Sequence, residues 1–235
     1  MNETKVRAIV LGGIDYKEKD KLINLFTLEH GIVSVVFRGV KGANAKFKSA
    51  KEIFSFGDFI YTEGKSRVVI SADIIENFYD IVKDIKKYYA GCAVLDTIKT
   101  LLGQEEQNPQ AFIATLKSLK LIVEGVDVYN VLNKFLITVC STIGYKFNFD
   151  CCNNCGKDLL GVFFNLGYGD IVCHLCVSGD YVELEGDILN AMNQYLNTKF
   201  EDIASLNINQ KTAKDIFKIL SASIKYRFGK KISLM

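Results

Sequence analysis

The sequence predicts an α+β protein, with a small N-terminal β-barrel followed by an all-α domain into which a four-cysteine ribbon is inserted. Short segments of strand-like alternation fill residues 5–80, and the apolar period becomes helical beyond them. Two C-x2-C pairs then follow residue 150. The predicted boundaries are 1–80 for the barrel, 81–150 for the first helical part, 151–180 for the ribbon and 181–235 for the C-terminal helical part.

The N-terminal segment alternates apolar and polar residues with a period of two, which is typical of half-buried strands. One helix-capable stretch, residues 20–28, joins the strand candidates. Several short strands in so few residues predict a closed barrel, because closure leaves few strand edges exposed. The strand candidates are residues 6–10, 34–38, 58–62 and 67–71.

Apolar residues recur every three or four positions after residue 80, the spacing of amphipathic helices. One helix is bracketed by Asn108-Pro109, a cap and first-turn proline, and by Gly125 at its end. The last helix is predicted to begin at a variant capping box, Thr212-x-x-Asp215, and to stop at Gly229. The helical stripes cover residues 85–102, 112–123, 129–143, 188–196 and 216–224.

The cysteine pairs are Cys152 with Cys155 and Cys173 with Cys176, and seventeen residues separate them. This spacing is typical of a structural zinc site, because two intervening residues let both sulfurs of a turn face one ion. Four thiolates complete a tetrahedron and leave no position for substrate, so one structural Zn²⁺ per chain is predicted. The glycines expected to supply positive φ in the metal-binding turns are Gly156, Gly167 and Gly169.

Other readings of the cysteines stay open at this point. Cys151 can replace Cys152 as a ligand through a longer C-x3-C loop, and the four thiols can also be unrelated reduced cysteines. A redox function is less favoured, because neither pair follows a βαβ pattern.

Seven cysteines in all are typical of a reducing compartment, and no apolar run reaches the ~18 residues of a membrane span. We therefore expect a cytoplasmic protein that is neither secreted nor inserted in a membrane.

Charge is distributed unevenly although the formal net charge is only +2. Residues 38–51 contain five basic residues and no acid, and residues 211–235 contain seven basic residues and one acid. The intervening residues 151–210 contain two lysines and eight carboxylates. This asymmetry predicts a polyanionic partner that meets both ends of the chain, the alternative being clustered solvated faces.

The sequence offers little support for an enzyme, and no catalytic residue is predicted. His30 and His174 are the two histidines, and His174 lies inside a cysteine knuckle. The glycine-rich phosphate loop G-x-x-x-x-G-K does not occur. Nucleobase deamination uses zinc and C-x-x-C but requires an H-x-E that this chain lacks.

Ordered motifs along the whole chain resemble the bacterial recombination mediator family RecO. The N-terminal motifs are Ile9 to Leu11, Asp15 to Leu22, Phe26 to Gly31, Phe37 to Gly42 and Phe54 to Asp58. The C-terminal motifs are Gly144-Tyr145, Cys152 to Gly156, Phe163-Phe164 and Cys173 to Cys176. Each motif is degenerate, but their ordered combination is specific. One departure is Lys146, which stands where the family commonly has a proline.

The resemblance implies an N-terminal OB-fold, a helical domain with a zinc ribbon, and a role in DNA repair. It implies binding of single- and double-stranded DNA, annealing of complementary strands, contact with the single-strand-binding protein, and loading of RecA together with RecR.

Phe37 and Phe47 are candidate base-stacking residues, whereas Phe54, Phe56 and Phe59 are expected in the barrel core. The alternative is an RNA-binding or transcription-associated module. The candidate DNA-binding residues are Arg38, Lys41, Lys46, Lys48, Lys51, Lys225, Arg227, Lys230 and Lys231.

Overall fold

The computed structural model describes residues 2–42, 47, 49–157, 161–179, 181–229 and 232. The chain divides into two compact units. The first comprises Met1–Ile85 with Leu102–Ile113, and the second comprises Lys86–Leu101 with Ala114–Met235. The described residues contain no helix long and apolar enough to cross a membrane.

Five strands of the first unit form a closed barrel in the order β1-β2-β3-β5-β4, and β4 pairs back onto β1. All pairings are antiparallel except that of β3 with β5, where Val36 lies opposite Val68. This order makes the barrel OB-like and confirms the predicted fold class. The strands are β1 (Glu3–Tyr16), β2 (Asp20–Thr27), β3 (Gly31–Phe37), β4 (Phe56–Thr62) and β5 (Val68–Glu76).

The stretch predicted as helix-capable, residues 20–28, is instead strand β2, which pairs with β1 and β3. Ile23 and Leu25 alternate into the barrel core. Phe26 points the other way and makes an edge contact with Phe112, with ring centroids 5.4 Å apart. Both faces of the strand are therefore apolar, and this hides the period of two that marks a half-buried strand.

The barrel core contains residues from every strand, and the aromatic members include Phe37, Phe59 and Tyr61. Phe37 is fully buried, so it is unavailable for stacking on a base. Phe54 and Phe59 are fully buried as expected, and Phe56 is half-buried with its ring centroid 6.3 Å from that of Phe112.

The helices begin and end close to the predicted positions. Asn108 Oδ1 accepts a hydrogen bond from Ala111 N at 3.0 Å, which caps the helix that starts at Pro109. The last helix differs, because its cap is Asn209, whose Oδ1 accepts from Lys211 N at 2.8 Å; Thr212 already lies inside it. The helices are α1 (Tyr79–Val82), α2 (Ile85–Leu101), α3 (Pro109–Glu124), α4 (Val128–Thr142), α5 (Gly186–Asn197) and α6 (Gln210–Phe228), with a 3₁₀ helix at Phe200–Ser205.

The ribbon is a three-stranded sheet in the order β7-β6-β8. Its strands are β6 (Val162–Asn165), β7 (Ile171–Cys173) and β8 (Tyr181–Leu184), of which β8 is absent from the sequence prediction. The segment after Tyr145 enters the ribbon through two aromatic contacts. The Phe147 ring stacks on that of Phe149 at 5.7 Å, and the Phe149 ring lies 6.2 Å from that of Phe164. Phe149 and Phe164 are fully buried. The segment that leads from Tyr145 into the ribbon is therefore well packed, although it lacks the proline that the family commonly has.

Candidate metal centre and nucleic-acid surfaces

The four predicted metal ligands come together in one cluster. The Sγ atoms of Cys152, Cys155, Cys173 and Cys176 all lie within 4.8 Å of one another, and Cys155 Sγ is 3.9 Å from Cys173 Sγ. Zinc–sulfur bonds of about 2.3 Å in a tetrahedron place sulfurs about 3.8 Å apart, so the cluster has the size that zinc requires. Cys151 is not a member of the cluster.

Each knuckle is shaped by its own backbone. Gly156 N donates to Cys152 O at 2.8 Å in the first, and Cys176 N donates to Cys173 O at 2.9 Å in the second. Asn153 N donates to Ile171 O at 2.9 Å, which joins the first knuckle to β7. The sheet therefore sets the distance between the two C-x2-C turns, whose sequence separation alone leaves it undetermined.

The glycines of this region have two different roles. Gly156 and Gly169 adopt φ values of 67° and 70°, the left-handed conformation that side chains disfavour, as predicted. Gly167 is not in that conformation, so its predicted role is wrong. It lies close to a neighbouring ring instead: a Cβ there would be 3.0 Å from Tyr226 Cε1, so a side chain would require that ring to shift.

The thiols of the cluster are electrostatically unequal. Backbone N–H groups, foremost that of Cys173, lower the pKa of Cys152 to about 6. Hydrogen bonding with the thiols of Cys155 and Cys173 raises the pKa of Cys176 to about 12, and negative charge on Cys152 adds to that rise. Several thiolates so close together repel one another unless a cation lies between them. The donor set thus fits a divalent ion of soft-ligand preference.

The structure describes three basic residues of the segment 38–51, and they differ in their ion pairs and hydrogen bonds to the rest of the protein. Arg38 is exposed, and among the described residues no ion pair to it is found. Lys41 Nζ lies 3.2 Å from Asp15 Oδ2 and donates to Lys17 O at 3.1 Å. Lys51 Nζ donates to Val40 O at 2.8 Å. Lys46 and Lys48 lie outside the described residues.

The β1–β2 hairpin adds basic residues that the charge count along the sequence did not single out. Lys17 and Lys19 are exposed at its tip, with Lys17 Nζ 5.2 Å from the centre of the Tyr16 ring. The tip adjoins the segment after β3, since Lys41 N donates to Lys19 O at 3.4 Å and Gly39 N to Asp20 Oδ1 at 2.9 Å. We call Tyr16, Lys17, Lys19, Arg38 and Lys41 the hairpin surface. Three acids alternate with these cations in the sequence and concealed the surface. The protein engages Asp15 and Asp20, and Glu18 is exposed.

The basic residues near the C-terminus also differ in their exposure and contacts. Lys225 is exposed in the last turn of α6. Arg227 is half-buried, its guanidinium 4.6 Å from the centre of the Tyr145 ring and donating from Nε to Gly167 O. Burial lowers the pKa of Arg227. Lys230 and Lys231 lie outside the described residues.

The barrel is closed and has the strand order of an OB-fold, and the helices of the same chain carry a ribbon with four clustered cysteines. These features define a class of protein: an OB barrel joined to a ribbon whose cysteines can hold a metal. Residues 1–78 match the family model described as "Recombination protein O N terminal", and residues 82–234 match "Recombination protein O C terminal". The chain belongs to the RecO family, whose members are DNA repair and recombination proteins.

Curated relatives match along nearly the full length. "DNA repair protein RecO" of Clostridium novyi is 26% identical over 230 residues, which cover 97% of this chain and 90% of the relative. The protein of the same description from Caldanaerobacter subterraneus is 26% identical over 229 residues, covering 96% and 93%. That from Clostridium kluyveri is 24% identical over 230 residues.

Proposed function

We propose that this chain is a recombination mediator that binds single- and double-stranded DNA, anneals complementary strands and, with RecR, helps load RecA onto DNA coated by the single-strand-binding protein. The observation that supports it most is that both RecO family models match, one on the barrel segment and one on the ribbon-bearing remainder. The activity requires no catalytic residue of this chain, and the cytoplasm is where these partners and the DNA are found.

The hairpin surface is the part of the barrel that we assign to first DNA contact. OB barrels bind oligonucleotides through the face of β2 and β3 and through loops that include the β1–β2 connection. Of the three acids beside this surface, Asp15 pairs with Lys41, Asp20 accepts from Gly39 N, and Glu18 is exposed between Lys17 and Lys19. Arg38, Lys17 and Lys19 are exposed and in no ion pair found among the described residues, so these three cations remain for phosphates. Such contacts position a strand without reading its sequence.

We propose that the ribbon holds one structural Zn²⁺ through Cys152, Cys155, Cys173 and Cys176. With four thiolate ligands the ion has no position for substrate, so it contributes to folding alone. The buried Val172 packs with Cys152 and Cys173, and metal binding is therefore coupled to closure of this small cluster.

Fluorescence anisotropy with labelled single strands and a strand-annealing assay test the proposal. We expect sequence-independent binding whose affinity falls steeply with salt, with a slope of about 0.7 per neutralised phosphate. RNA of the same sequence serves as competitor, and RNA that outcompetes DNA would favour the RNA-binding alternative. Failure to bind DNA or to accelerate annealing would refute the proposed function. Stimulation of RecA loading by purified RecR and this protein tests the partners.

A further inference from the structure

A groove of about 330 Å³ lies on the second unit beside the ribbon turn that connects β6 to β7. Tyr168 contributes to it from that turn, and Tyr226 contributes from the last turns of α6. These tyrosines are 76% and 68% exposed, among the largest exposed fractions of any apolar or aromatic residue described. The remaining lining residues are Asn165, Leu166 and Gly167.

The groove is preorganised by hydrogen bonds on its ribbon side. Asn165 Oδ1 accepts from Gly167 N and from Tyr168 N, both at 2.8 Å. Ser223 Oγ of α6 donates to Leu166 O at 2.7 Å, which fixes the turn to the helix. The ring of Tyr226 lies against the backbone of Gly167, where no Cβ intervenes. Two aromatic side chains with few rotatable bonds are thus presented to solvent on a fixed support.

The electrostatic surroundings favour an anionic ligand. The chain carries no acidic residue after Asp215, whereas Lys225 is exposed next to Tyr226. Within residues 161–179 the one acid is Asp170, and its Oδ2 accepts from Asn153 Nδ2 at 2.6 Å. A ligand with flat apolar faces and a negative backbone is therefore complementary to the groove. A single-stranded nucleic acid has both, and its bases stack on exposed aromatic rings regardless of sequence.

We propose that this groove binds a nucleobase of single-stranded DNA by stacking on Tyr168 and Tyr226, as a contact surface additional to the barrel. This inference rests on the proposed function, because it presumes that the chain binds DNA. The two contacts differ in chemistry: the hairpin surface attracts phosphates, and the groove holds bases. The groove is thus expected to retain unpaired strands in preference to duplex, whose bases are already stacked and paired.

Two oligonucleotides of about 16 nucleotides separate these contributions, one of thymidylate and one of abasic residues with the same number of phosphates. We expect wild-type protein to bind the thymidylate strand more tightly. Tyr168→Ala and Tyr226→Ala should each weaken thymidylate binding about fivefold or more and leave abasic binding unchanged. Tyr168→Phe and Tyr226→Phe keep the stacking face and should bind like wild type. The slope of affinity against salt should stay constant across all four variants.

Photocrosslinking provides a readout that needs no substitution. Iododeoxyuridine placed within the strand should crosslink to Tyr168 or Tyr226 of wild-type protein, as located by peptide mass spectrometry. Crosslinks confined to the barrel would overturn the inference and leave the proposed function intact. Equal wild-type affinity for both strands, or alanine variants that bind thymidylate like wild type, would overturn it in the same way. Absence of any DNA binding by wild-type protein would refute both.

Discussion

Lys41 Nζ and Asp15 Oδ2 lie 3.2 Å apart and join the segment after β3 to the β1–β2 hairpin. The Asp15 side chain is 70% exposed, so this pair contributes little to stability. For the proposed DNA contact, the pair means that the Lys41 ammonium is already partly neutralised, and Lys17 O accepts a hydrogen bond from it as well. Arg38, three residues earlier, has no such restraint among the described residues.

The first prediction concerns Arg38 and Lys41. Arg38→Ala should weaken binding to all DNA sequences alike and lower the salt slope by about 0.7, the value of one lost phosphate contact. Lys41→Ala should have a smaller effect, because its charge is compensated by Asp15. Fluorescence anisotropy at several salt concentrations measures both. Lys83→Ala is the matched control, since Lys83 pairs with Asp80 at 2.7 Å and lies outside the hairpin surface. A larger loss from Lys41→Ala than from Arg38→Ala would contradict this assignment.

The second prediction concerns the metal. Cys155→Ser should abolish stoichiometric zinc and expose the ribbon to proteolysis, because four thiolates are needed to close the site. Protection of the barrel strands in hydrogen exchange should stay unchanged. Cys151→Ser is the matched control and should retain full zinc by elemental analysis, since Cys151 lies outside the cluster. If Cys151→Ser loses zinc and Cys152→Ser retains it, the first ligand is Cys151 and not Cys152.

The third prediction separates a structural role of Arg227 from DNA contact. Arg227→Ala should reduce the free energy of unfolding by about 1.5 kcal/mol, the low end for a hydrogen bond to a charged group, since the guanidinium is only partly buried. Urea denaturation measures this change. Lys225→Ala, two residues earlier and exposed, should alter stability by no more than about 0.5 kcal/mol. If Arg227→Ala is as stable as wild type but loses DNA affinity, Arg227 is a DNA contact instead.

The barrel, the helices and the cysteine cluster could be predicted because each has a local signal. Alternation, helical periodicity, caps and C-x2-C spacing are all properties of neighbouring residues. Strand β2 was missed because Phe26 is covered by Phe112, a contact that joins residues far apart in sequence. Strand β8 was missed because four residues, half of them only partly buried, give too short a pattern.

The candidate binding surfaces were less predictable than the metal site. Charge counts along the chain indicate basic segments. They cannot show which cationic side chains are already hydrogen-bonded to the protein's own backbone, as Lys51 and Arg227 are. Nor can they show that two acids near Lys17, Asp15 and Asp20, are engaged by other groups of the protein, whereas Glu18 is exposed. The cap of α6 illustrates a smaller ambiguity: Asn209 and Thr212 are both good capping residues, and in the structure the cap is Asn209.

The fourth prediction concerns the acid stability of the barrel. Arg7 Nε donates to Asp58 Oδ1 at 2.8 Å between β1 and β4, and Lys5 Nζ lies 3.4 Å from Asp58 Oδ2. The hydrogen bond from Arg7 holds the pKa of Asp58 below its ordinary value of 3.8. A carboxylate with a lowered folded-state pKa stabilises the fold above the unfolded-state pKa, and that contribution disappears as pH falls through the folded-state value.

Asp58→Asn should therefore lower the urea midpoint at about pH 7, and the difference from wild type should shrink steadily below the ordinary pKa of Asp58. Added salt should reduce the difference at neutral pH, because the Arg7 side chain is 47% exposed and its charge is screened. Asp73→Asn is the comparison variant, since Asp73 lies opposite Asp58 on β5 and no ion pair to it is found among the described residues. Its loss removes a like charge facing Asp58 and should not lower the urea midpoint. A difference between wild type and Asp58→Asn that persists undiminished at about pH 2 would show that the amide disturbs packing and that the ion pair is not the cause.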